Sequence, residues 1–198
     1  MTVEIATNPF ATRWTRPGAI PFDFGGRCSI DDLVRRLAEN DWQGAIVGPH
    51  GSGKSTLLRT LMPALEAAGR VAVLITPRDG QRRSTMSLRQ LDRHGETLVV
   101  VIDGYEQLGR WSRWRLTGHC RRRGYGLLVT AHGNCGLQVI FRTDPDLATI
   151  ERIVEHSLPP HGGIICHADI ERAWRRHGEN VRELLFELYD SFEARRRL

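Results

Sequence analysis

Two short stretches carry side chains whose spacing suits the chemistry of phosphate. The first, GPHGSGKST, runs from Gly48 to Thr56 and fits the pattern G-x-x-x-x-G-K-[ST]. Gly48, Gly51 and Gly53 let the backbone turn through positive φ and bring N–H groups close to phosphate oxygens. Pro49, His50 and Ser52 complete the loop. Ser55 and Thr56 open the helix that must follow, whose N-terminus attracts the same anion. Lys54 is the only lysine among 28 Lys and Arg residues. A coding bias toward arginine would leave that lysine to chance, whereas chemistry gives it a reason. Its ammonium is a compact point charge on a flexible stem, which a broad planar guanidinium does not reproduce. Ser55 offers a hydroxyl to Mg²⁺, an ion whose other ligands are phosphate oxygens and waters.

The second stretch is LVVVIDGYEQL, residues 98–108. Asp103 ends an apolar run and is placed to bind Mg²⁺ through water; the plainer reading is a turn aspartate, since Asp-Gly is a common turn pair. Glu106 is either the base for an attacking water or a helix-start glutamate favourable to the helix dipole.

Such groups need elements to hold them. QGAIVG before the loop reads as a buried strand. STLLRTLMPALEAAG after it reads as a helix, with Leu57, Leu58, Leu61 and Leu65 on one face and Gly69 as its stop. RVAVLIT, TLVVVID, GLLVTA and LQVIFRT give four more strands. PRDGQRRST reads as a loop and MSLRQLDRH as a short helix, while YEQLGRWSRWRLTGHCRRRG is mostly helical. This alternation predicts a P-loop α/β sandwich of three layers around a mostly parallel five-stranded sheet. Ser29 with Asp32 caps a first helix bearing Ile30, Leu33, Val34 and Leu37. Residues 1–28 form an extended leader on the core, because Phe10, Trp14, Ile20, Phe22 and Phe24 need burial. Residues 29–143 form the nucleotide-binding core. Residues 144–198 are helical only and form a small all-α lid.

The two stretches are the Walker A and Walker B patterns. Lys54 and Asp103 stand 49 residues apart, room for one βαβ unit and too little for the insert of transporter-type ATPases. The chain therefore resembles the AAA+ ATPases and their STAND relatives. That resemblance implies Thr130 at the sensor-1 position, with His132 as a second candidate, where a polar group touches the γ-phosphate or the attacking water. GENVRELLFEL, with Asn180 and Arg182, is similar to the sensor-2 segment of the AAA+ lid, whose arginine reaches the nucleotide phosphates. Asn180 with Glu183 is also a capping box, which would leave Arg182 on a solvated surface. The leader NPF…PGAIPF resembles linkers that line the adenine pocket. Two departures stand out. Gly104 replaces the usual glutamate after Asp103, giving the D-x-x-[DE] spacing of STAND-type proteins. The connection between the fourth and fifth strands is short, so the place of an arginine finger falls to Arg121, Arg122 or Arg123, against their reading as a solvated helix end.

The resemblance implies binding of ATP or ADP with Mg²⁺ and hydrolysis to ADP and phosphate. The rival readings are a nucleotide-gated module with little turnover and a small-molecule kinase. A separate protein partner and a nucleotide-dependent homo-oligomer are implied as well. The net charge of +5 and pI near 9.5 permit nucleic-acid contact. Trp111 and Trp114, three apart, read as packing under the sheet or against the lid, with stacking on nucleic acid as the alternative. Cys28, Cys120, Cys135 and Cys166 form no C-x-x-C pair, and HGNC and HSLPPHGGIICH match no standard zinc spacing. No run reaches the about 18 apolar residues of a membrane span, and no signal-peptide pattern opens the chain. A cytoplasmic location is expected.

Overall fold

The computed structural model describes residues 8–11, 21–77, 91–157 and 164–196. Five strands pair in parallel: β1 (Gln43–Val47), β2 (Val71–Ile75), β3 (Leu98–Ile102), β4 (Gly126–Ala131) and β5 (Val139–Arg142). Their order is β2-β3-β4-β1-β5. Strands β3 and β4 are buried along their whole length; runs that are apolar throughout in β3, and in β4 but for Thr130, demand cover on both faces. Register pairs Val47 with Ala131 and Ile102 with Val129. The C-terminal ends of β3, β4 and β1 are therefore level and adjacent, and the chain order reverses beside β1. That is where ligands sit in open α/β sheets.

One face of the sheet is covered by α1 (Ile30–Glu39) and α2 (Lys54–Ala67), the other by α3 (Arg110–Arg123). This is the three-layer α/β sandwich expected from the sequence. Leu57, Leu58, Leu61 and Leu65 of α2 are fully buried. Ser29 caps α1 reciprocally: its Oγ accepts from the Asp32 N–H at 3.1 Å, and its own N–H donates to Asp32 Oδ2 at 2.9 Å. Most of the expected loop at PRDGQRRST and helix at MSLRQLDRH falls in residues 78–90, outside the described residues. The described part is a short 3₁₀ segment, Asp92–Thr97.

Among the described residues three helices follow β5: α4 (Leu147–Ser157), α5 (His167–His177) and α6 (Val181–Arg196). Their core holds Ile150, Val154, Ile170, Leu184, Leu188 and Phe192. Of residues 1–28, the described ones divide between two clusters, while Trp14 and Ile20 lie outside the described residues. Phe22 and Phe24 pack edge-on against Phe141 with ring centroids 5.7 and 5.8 Å away. Phe10 enters the C-terminal cluster, 6.4 Å from the Phe192 ring.

One expectation fails. Trp111 and Trp114 are 68% and 66% exposed rather than packed under the sheet or the lid. The reason is angular. Leu116 and Cys120 supply the inward face of α3, and at about 100° per residue the two tryptophans fall on the opposite side of the helix.

Candidate functional site

Each of the three adjacent strands delivers one element to the same crevice. The loop after β1 runs from Gly48 to Gly53, and its glycines are needed for different reasons. A Cβ on Gly48 would lie 2.1 Å from Thr143 Oγ1 and 2.5 Å from the Thr143 carbonyl, so only hydrogen fits against the exit of β5. Gly53 has φ of +94° and forms the N-cap of α2, a backbone state that side chains disfavour. Ser52 Oγ donates to the Pro49 carbonyl at 2.9 Å and lies 2.5 Å from Thr143 Oγ1, which ties the loop to β5.

Lys54 Nζ donates to the carbonyls of Gly48 at 2.8 Å and Pro49 at 2.5 Å. The ammonium is folded into its own loop, and the residue as a whole is only 8% exposed. Burial lowers its pKa below the ordinary lysine value, and the carboxylates of Glu106 and Asp103 work against that.

Asp103 follows β3. Its Oδ1 accepts from Ser55 Oγ at 3.0 Å and from Thr130 Oγ1 at 2.9 Å. Thr130, at the end of β4, also accepts from the Gly104 N–H at 2.7 Å. Gly104 has φ of +93°, so the Asp-Gly pair is a turn as well as a site. One buried threonine hydroxyl thus fixes both the aspartate and the turn behind it.

That turn carries Glu106. Its Oε1 lies 3.3 Å from His132 Nε2, and its Oε2 is buried with no hydrogen-bond partner among the described residues. A buried carboxylate oxygen without a donor is costly, of the order of 1–3 kcal/mol. His132 in turn sits edge-on to His50, with ring centroids 5.8 Å apart. Arg113 holds the turn from behind: Nη2 donates to the Glu106 carbonyl at 2.7 Å and Nε to the Leu108 carbonyl at 2.8 Å. Sequence reasoning read the segment around Arg113 only as mostly helical and missed this role. No local pattern announces it, since the contact depends on how α3 leaves the turn.

Lys54, Ser55, Asp103, Glu106, Thr130 and His132 line one cleft of about 700 Å³. Arg182 lines its far wall from the start of α6, beside Phe186. Asn180 accepts from the Glu183 N–H at 3.3 Å, and its side chain presses on the loop: a Cβ at Gly51 would lie 1.9 Å from Asn180 Oδ1. A smaller apolar pocket of about 80 Å³ adjoins the loop, formed by Pro21, Phe22, Thr56, Ile153 and Leu185 among others. Arg121, Arg122 and Arg123 stand elsewhere, at the end of α3 that leads into the start of β4. Arg123 pairs there with Asp92 Oδ2 at 3.0 Å.

No protein-family model and no curated protein sequence matches the chain. Solved structures do. RuvB of Thermotoga maritima superposes with a TM-score of 0.56 at 14% identity, over 79% of this chain and 58% of that one. A Walker-type ATPase of Pyrococcus abyssi gives 0.51 at 13% identity, over 84% and 69%. The chain spans 58% of the length of the RuvB chain. At these identities the likeness is one of fold alone: the chain shares the α/β fold of RuvB and of that Walker-type ATPase. No helix among the described residues is long and apolar enough to cross a membrane.

Proposed function

We propose that this chain binds ATP with Mg²⁺ in the cleft and hydrolyses it to ADP and phosphate. The observation that carries the reading is the convergence on Asp103. Its Oδ1 collects hydroxyls from Ser55 and Thr130, at the foot of α2 and the end of β4, beside the loop that holds Lys54. Ser and Asp oxygens that meet at a helix N-terminus suit a hard cation, which takes its remaining ligands from phosphate and water. Mg²⁺, when bound, would neutralise charge on the phosphates.

The chain's own residues have distinct tasks. Lys54 leaves the carbonyls of Gly48 and Pro49 for β- and γ-phosphate oxygens, and the Gly48–Thr56 backbone encloses the rest. Ser55 and Asp103 hold the metal. Glu106, with Oε2 free of other donors among the described residues, accepts the proton of the attacking water, and Thr130 keeps Asp103 oriented toward the metal. Arg182 contacts the terminal phosphate from α6. The apolar pocket beside Phe22 receives the base. In this reading residues 29–143 are the nucleotide core and residues 144–198 its lid, and the chain acts with a separate protein in the cytoplasm. Nucleotide state sets its self-association.

A second reading is a nucleotide-gated module with little turnover. It is favoured by Gly104, which stands where AAA+ enzymes usually carry a glutamate.

Calorimetry with ATP tests binding. Lys54→Ala should abolish measurable affinity while urea unfolding remains cooperative; a folded variant with unchanged affinity would overturn the proposal. Asp103→Asn should weaken binding more with Mg²⁺ than without, and equal losses would remove Asp103 from the metal. Phosphate release without an added acceptor then separates hydrolysis from gating.

A further inference from the structure

The outward face of α3 has a composition that the nucleotide site does not use. Trp111 and Trp114 stack on one another there, with ring centroids 4.9 Å apart and planes 26° from parallel. Both are about two-thirds exposed. Arg110, Arg115, Arg121 and Arg122 share that side of the helix and are exposed. None of the four has an ion pair among the described residues, and α3 itself contains no Asp or Glu. The basic face runs for about 18 Å from Arg110 to Arg122.

The chemistry of this face selects its occupant. Two large aromatic rings in water are an apolar surface without a partner. A protein interface or a bilayer would extend that surface with aliphatic neighbours, yet Leu116, the only leucine of α3, is buried inward. Around the tryptophans stand guanidinium groups and Gly118. Flat π faces flanked by unpaired arginines match a ligand that is both planar and anionic at short repeats. Unpaired bases stack on such rings while arginines track the phosphates, an arrangement that tolerates any sequence. A duplex keeps its base faces stacked inside and offers phosphates and groove edges, on which a tryptophan ring cannot stack.

We infer that the Trp111–Trp114 face of α3 binds single-stranded nucleic acid. The tryptophans stack with unpaired bases, and Arg110, Arg115, Arg121 and Arg122 contact the phosphates. This goes beyond the nucleotide reading and does not depend on it.

Fluorescence anisotropy of labelled dT20 and rU20, with a 20-base-pair duplex as reference, tests the assignment on the full chain. Wild-type protein should bind the single strands more tightly than the duplex and quench its tryptophan emission on doing so. Trp111→Ala with Trp114→Ala should weaken single-strand binding roughly tenfold or more, and Trp111→Phe with Trp114→Phe should retain most of it. Arg110→Gln with Arg115→Gln should reduce the slope of log affinity against log salt by about 1.4, from ~0.7 per lost phosphate contact. Lys54→Ala should leave all of this unchanged, which keeps failure here distinct from failure of ATP binding. Absence of single-strand binding at low salt would overturn the assignment. So would equal binding of the duplex, or an alanine pair that binds as wild type does. The same holds if the alanine pair instead abolishes self-association or binding to anionic vesicles.

Discussion

The contact between the phosphate loop and α6 yields a prediction with a built-in control. Gly51 and Gly69 share the same φ of +76°. Alanine at either position enters the left-handed region at a cost of roughly 1–2 kcal/mol. Their surroundings differ. A Cβ at Gly69 meets nothing within 4 Å, whereas at Gly51 it meets Asn180 Oδ1 at 1.9 Å and Asn180 Cγ at 2.7 Å. Asn180 must turn aside and so releases the Glu183 N–H it holds at 3.3 Å, a cap worth ~1 kcal/mol. Gly51→Ala should therefore cost about 2–3 kcal/mol in urea unfolding and Gly69→Ala about 1–2 kcal/mol. In an Asn180→Ala background the obstructing atoms are gone and the cap is already lost. Gly51→Ala should then fall to the Gly69→Ala level, a coupling of ~1 kcal/mol in the double-mutant cycle. Equal costs of Gly51→Ala in both backgrounds would refute the loop–helix contact.

Two further outcomes are expected. Arg182→Ala should lower ATP affinity about tenfold or more and leave ADP affinity unchanged, since a charge-assisted contact is worth ~1.5–3 kcal/mol. Calorimetry showing equal binding of both nucleotides by variant and wild type would return Arg182 to the surface. Asp169 is buried and accepts from Arg195 Nη1 and Nη2 at 2.5 and 2.7 Å and from the Cys166 N–H at 3.0 Å. The Arg195 hydrogen bonds hold its carboxyl well below the usual carboxylate range. Asp169→Asn should cost about 2 kcal/mol at pH 7. A lowered folded pKa makes this stabilisation full above the unfolded value of ~3.9 and lost as pH falls below it. Urea midpoints of variant and wild type should therefore converge on acidification below about pH 4; a gap that widens instead would refute the assignment.

What the sequence made legible was what a few consecutive residues decide. The glycine loop, its lysine and the apolar run ending at Asp103 each sit within one turn or one strand, so residue type and spacing were sufficient. The sheet followed from the same local signals, because a parallel strand buried on both faces must be apolar throughout. Ser29 and Asp32 likewise belong to a single turn.

Contacts between distant segments were not legible. Gly51 meets Asn180 and Ser52 meets Thr143 only because β5 and α6 return to the loop. Arg113 reads as one arginine among many, although it grips the carbonyls of Glu106 and Leu108. The tryptophans show the same limit most plainly. Their spacing placed them on a common helix face, but spacing does not say which face looks inward. That was decided by Leu116 and Cys120, which are smaller yet lie opposite the apolar strands β3 and β4. Of the three arginines in RWSRWR, Arg113 turns inward to carbonyl oxygens and over the Tyr105 ring. Arg110 and Arg115 stay out beside the tryptophans. A single basic segment thus supplies both the support behind Glu106 and an exposed aromatic face, and only the rotation of α3 on the sheet separates the two.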